Sequence, residues 1–196
     1  MLIFSCLMLR AQTQSPPQIQ PSPSLKETIK WIQEKVQTNG GYKMHVDKLL
    51  NQTHDWVEFA SKYTGVGSDD SGCEVDGTEV VSVKSSFGSD NWTFRQTIFL
   101  SHIRPISVKA HWWDFHLTNE SSKADYTYSP SGYYILTADS VEKDSSVMNV
   151  VGDDRSNVGG DAALFRFTEL NTANRVATAL NHAVELCKAD AKPEPF

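Results

Sequence analysis

Clustered positive charge is what this chain lacks most plainly. No run of lysine or arginine exceeds two residues, and 24 acids against 18 bases leave a formal charge of −6. Binding to a phosphate backbone needs several cations close together, so the balance argues against nucleic acid as a partner. The same shortage argues against a polybasic patch for anionic lipid. Beyond the first residues there is no run of 18 apolar residues, so no transmembrane span is expected in the mature chain. No internal repeat is visible, which excludes a solenoid or propeller. Catalytic signatures are missing too. There is no serine or cysteine in a nucleophile-elbow context, no glycine loop set between a strand and a helix, and no histidine and cysteine set at zinc-ligand spacing. The expectation is therefore no metal and no cofactor.

Cysteine is scarce, with only Cys6, Cys73 and Cys187 in 196 residues. The opening MLIFSCLMLRAQTQ is apolar and then abruptly polar, as at the end of a secretory signal with a small-residue cleavage point near Ala11. We take residues 1–11 as a signal-peptide remnant, which predicts a secreted or periplasmic protein. Removal of Cys6 with the signal leaves Cys73 and Cys187 as candidates for one disulfide, since exported proteins meet an oxidising compartment. Residues 12–23, QTQSPPQIQPSP, have the composition of an extended, solvated linker. Residues 24–190 form the expected single domain, and 191–196 a tail.

Hydrophobic residues make up 39% of the chain, enough for that domain to bury a core of its own. It opens at Ser24-Leu25-Lys26-Glu27, a capping-box pattern. Leu25, Ile29, Ile32 and Val36 follow on one helical face, and Asn39-Gly40-Gly41 ends the helix, glycine tolerating a left-handed C-cap. Residues 42–54 read as loop or a second short helix. From about 55 the period changes to two. Segments 55–63, 78–84, 92–100, 106–118, 132–138, 147–151 and 162–167 read as strands rich in β-branched and aromatic residues. Between them lie Gly, Asn, Asp and Ser clusters, including GVGSDDSGC (65–73) and GDDRSNVGGD (152–161), both taken as loops whose spacing fits no calcium motif. At the end, Ala173, Val176, Ala177, Leu180, Ala183, Val184 and Cys187 make an apolar stripe at helical spacing. Asn174, Arg175, Thr178, Asn181, Glu185 and Lys188 fall on the solvent side. The expected class is α+β: an N-terminal helix, about seven antiparallel strands in a bent sandwich or barrel, and an amphipathic C-terminal helix that caps it.

In this arrangement the chain resembles a pleckstrin-homology-type fold, where a final helix plugs one end of a bent β-sandwich. The segments SLKETIKWIQEKV, FLSHIRPISV and ANRVATALNHAVELC, with the terminal PEPF, also resemble uncharacterised exported bacterial proteins. That resemblance implies export and a capped β-domain, and carries no activity.

The densest group of functional residue types is KAHWWDFHL, residues 109–117. On a strand, His111, Trp113, Phe115 and Leu117 share one face, expected to be core, and Ala110, Trp112, Asp114 and His116 share the other. His111 and His116 therefore diverge and do not chelate one metal. Asp114 is placed to orient His116 as a general base beside a pocket floored by Trp112, but no nucleophile accompanies them. Cys187 and His182 lie about 140° apart around one helix, too far to act as nucleophile and base. The reading is an exported, non-enzymatic binding or structural module whose partner is a protein or another envelope component. The alternative is a small exported hydrolase using Asp114 and His116.

Overall fold

A computed structural model describes residues 22–50, 53–114, 126–128, 132–139, 147–151, 154–158 and 162–190. The first helix, α1 (Leu25–Asn39), begins as the capping box requires. The Ser24 amide donates to Glu27 Oε2 at 2.9 Å, and the Glu27 amide to Ser24 Oγ at 3.4 Å. Two backbone donors with no helical partner are thereby satisfied. The other end departs from expectation. Gly40 is an extended C-cap (φ −76°), and it is Gly41, one residue later, that takes φ 113°. A Cβ on Gly40 would lie 2.4 Å from the Val36 carbonyl oxygen, and one on Gly41 2.2 Å from that of Ser61. The two glycines thus let the chain pass from helix directly into a strand, without a loop.

That strand is β1 (Gly41–Leu50), where a loop or short helix was expected. It pairs along its whole length with β2 (Thr53–Ser68). The hairpin continues through β3 (Glu74–Ser85) and β4 (Gly88–Phe99). A 3-10 turn (Leu100–His102) follows, then β5 (Lys109–Asp114), β6 (Tyr126–Tyr128), β7 (Gly132–Ala138), β8 (Val147–Val151), β9 (Asp154–Val158), β10 (Ala162–Phe167) and the closing helix α2 (Leu170–Asp190). The fold is α+β, with ten strands among the described residues. Besides β1, the sequence reading omitted β6 and β9, the latter inside the stretch 152–161 taken as loop. It also began β5 too early, because Ile106 adopts φ 61° and interrupts any strand before Lys109.

All pairings between strands are antiparallel, in a sheet ordered β6-β1-β2-β3-β4-β8-β9 and a sheet ordered β10-β7-β5. Among the described residues the sheets do not close into a barrel, and a bridge between Gly40 and Phe167 stitches them together. Both helices pack over one continuous core. Ile29, Ile32 and Val36 of α1 meet Val75 and Ile98 of the large sheet, Leu136 and Phe167 of the small one, and the predicted stripe of α2. All seven stripe residues, from Ala173 to Cys187, are buried. At roughly 1.5 to 3 kcal/mol for each fully buried aliphatic side chain, this contact is a main source of stability. A smaller cluster of Met44, Tyr133 and Ile135 lies under the other face of β7, where the rings of Tyr42 and Tyr133 stack 4.4 Å apart.

Cys73, just before β3, is bonded to Cys187 near the end of α2 across 114 residues, with Cα atoms 5.7 Å apart. The expected pair is the observed one. Among the described residues no helix is long and apolar enough to cross a membrane.

Candidate functional site

The chain enters β5 through a knot of hydrogen bonds. The Arg104 amide donates to the Asp139 carbonyl at 2.8 Å, the Ser107 hydroxyl to the Arg104 carbonyl at 2.6 Å, and the Asp139 amide to Ser107 Oγ at 3.2 Å. These bonds fasten residues 104–107 to the end of β7, so β5 sets out already aligned with its partner. Its register is Lys109 opposite Thr137, Ala110 opposite Leu136, His111 opposite Ile135, Trp112 opposite Tyr134 and Trp113 opposite Tyr133.

This register reverses the expected faces. Ala110 shares its face with the fully buried Leu136 and packs on the main core, whereas His111 is exposed and Trp113 is 51% exposed. The cluster that covers Ile135 and Tyr133 does not extend beneath β5, which lies one strand further out. Trp113 is therefore not a core residue. Trp112, 47% exposed, meets Tyr134 edge-on at 4.9 Å and lies across Gly132, where a Cβ would come within 2.2 Å of the indole. Asp114 closes the strand opposite Gly132. Its side chain, and all of His116, Phe115 and Leu117, lie outside the described residues, as do residues 1–21 with Cys6.

Among the described residues β5 is the outermost strand of its sheet, and α2 runs beside it. Between them is a groove of about 410 Å³, walled by Val108, Lys109, Ala110 and His111 on one side and Asn174, Ala177, Thr178 and Asn181 on the other. Asn181 was expected on the solvent face of α2. Instead its carboxamide pairs with the strand backbone, Oδ1 accepting from the Val108 amide and Nδ2 donating to the Val108 carbonyl, both at 3.0 Å. A side chain thus makes the two bonds that a neighbouring strand would make. Lys109 gives the lining a positive charge, and among the described residues no carboxylate lines the groove.

A wider groove of about 1010 Å³ separates α1 from α2, with Trp31 and Ala179 in its lining. The Trp31 ring is already engaged by two cations, Arg175 at 5.3 Å and Lys35 at 5.8 Å. At its edge His182 Nε2 donates to the Pro23 carbonyl at 3.0 Å and lies 3.5 Å from Ser22 Oγ. A nitrogen that donates to a carbonyl has no lone pair left for the serine proton, so this contact is not a nucleophile with its base. The bond between Cys73 and Cys187 likewise removes both thiols from nucleophilic chemistry.

The sequence reading missed a buried polar cluster where the sheets meet. Glu79 pairs with the Arg166 guanidinium, and the Arg166 amide donates to Tyr63 Oη at 3.3 Å. Burial, reinforced by the Glu79 charge, holds the Tyr63 phenol well above its ordinary range. Burial also pushes the Tyr42 phenol up to about 12, against the lowering influence of Arg166. For Arg166, burial is the largest single influence and favours the neutral form, but Glu79 acting together with Tyr63, Tyr133 and Tyr42 outweighs it and raises the pKa. Among the described residues no group of three histidines, cysteines or carboxylates converges as a metal site would require. No family model, curated protein or solved structure matches this chain.

Proposed function

We propose that this protein is an exported, non-enzymatic module, a capped β-domain of pleckstrin-homology-like build, that binds another macromolecule through the groove between β5 and α2. The observation that carries this reading is the pairing of Asn181 with Val108, beside an outer strand with an open groove. Backbone donors and acceptors held in strand geometry are a recognition surface for a second chain. Export is supported by the disulfide, a bond that persists in oxidising compartments. The non-enzymatic part is supported by His182, whose Nε2 is taken up by the Pro23 carbonyl, and by Cys73 and Cys187, whose sulfurs are bonded to each other.

The test is site-specific photo-crosslinking in a native envelope extract, with the reactive residue at the exposed Thr178 in the groove or at Lys84 on β3. The expected result is a discrete adduct from position 178 and none from 84. No adduct at 178, or equal adducts at both positions, overturns the reading.

A further inference from the structure

Resting on that reading, we propose that the partner is an extended acidic peptide that adds to β5 as a fourth strand of the small sheet. Residues along a strand present their backbone groups alternately to the two neighbours. Val108 gives its amide and carbonyl to Asn181, away from β7. The alternation then turns those of Ala110 in the same direction, into the groove. Asn181 therefore occupies the first rung of the edge, and a peptide takes the next.

The helix matches this path. Asn174, Ala177, Thr178 and Asn181 lie three and four residues apart, on one face of α2. The rise from Asn174 to Asn181 is about 10 Å, and from Val108 to His111 roughly the same. With Asn181 fixed at Val108, the stripe runs alongside the strand for the length of the groove.

Side chains of an added strand also alternate, and this sets the chemistry of the partner. Those on the β5 face of Lys109 and His111 meet a cation and an exposed imidazole, with no acid among the lining residues. Those on the other face meet the methyl groups of Ala110 and Ala177. Acidic residues on the first face and apolar ones on the second complement both. The fit is the more selective because the chain as a whole carries a charge of −6 and repels an acidic peptide elsewhere.

The experiment titrates a blocked heptapeptide of alternating glutamate and valine into the oxidised protein, following amide exchange at Ala110. Comparison peptides carry lysine for glutamate, or N-methyl groups on one or the other alternate set of amides. The expected result is protection of the Ala110 amide and affinity at least about tenfold above the lysine peptide. Methylation of one set should weaken binding by roughly tenfold or more, through lost hydrogen bonds, and of the other set hardly at all. Lys109→Glu should remove the preference for acid without unfolding the protein, because the side chain is exposed. No binding, equal binding of the acidic and lysine peptides, or equal response to both methylated sets overturns strand addition. If the crosslink at position 178 persists in that case, the binding-module reading stands; if it too is absent, both fall.

Discussion

Arg166→Met would strand the one carboxylate buried among the described residues. The Glu79 side chain is only 5% exposed, against 29% for Arg166, and among the described residues Glu79 Oε1 has no hydrogen-bond partner. The whole carboxylate therefore depends on the single guanidinium. Removing one member of a buried pair typically costs about 3 to 5 kcal/mol, because the remaining charge is left without compensation. The reverse change, Glu79→Gln, should cost less, about 1 to 3 kcal/mol, since the partly exposed Arg166 still reaches water. Replacing both together, Glu79→Leu with Arg166→Met, should be near neutral, as apolar side chains of similar size fill the space without a desolvation penalty. Urea denaturation of the four proteins, followed by circular dichroism, gives the three differences directly. The reasoning is refuted if Arg166→Met costs under about 1 kcal/mol, or if Glu79→Gln is the more damaging single change.

Leu180, fully buried in the middle of the α2 stripe, should lose about 2 to 5 kcal/mol on conversion to alanine, while the exposed Glu185→Gln changes little; equal small losses would show that α2 does not dock as described. Replacing Cys73 and Cys187 together by alanine opens a loop spanning 114 residues and should remove up to about 5 kcal/mol of stability in the chain-entropy model. Mass spectrometry of the unreduced protein should find these two peptides linked, and two freely alkylated thiols would contradict the bond. Tyr42, whose phenol is raised to about 12 in the fold, should make stability pH-dependent in alkali. Because the folded form resists ionisation, its contribution is complete below about pH 10, the unfolded value, and is lost as pH rises towards 12. Thermal melts across that window should fall less steeply for Tyr42→Phe, and identical slopes would refute the assignment.

Both helices were legible because their signals are local. The box at Ser24 and Glu27 marks one start, and each apolar stripe declares its own face. β1 was not, since what makes Tyr42 and Met44 a strand is pairing with Ser61 and Phe59 in the next hairpin arm. Period two tells which residues of β5 share a face, but not which face meets the core; that depends on where α2 comes to rest, so Trp113 was wrongly buried. Asn181 looked like solvent-facing polarity because its partner is 73 residues away. Glu79 left a trace, a charge in the inward row of Val75, Gly77 and Val81, but Arg166 left none. A register shift between Ala163 and Arg166 breaks the alternation by which its direction would be read.

The bond between Cys73 and Cys187 also decides how this domain would respond to being pulled. Only Lys188, Ala189 and Asp190 of α2 lie beyond the bridge, so tension arriving from that side cannot peel the helix off turn by turn. It passes through sulfur into the loop before β3, and from there into the centre of the large sheet. The 114-residue span inside the loop, roughly 400 Å of chain if drawn straight, is withheld from extension while the bond is intact. A single-molecule trace of the oxidised protein should therefore be short, and reduction should release the missing contour length.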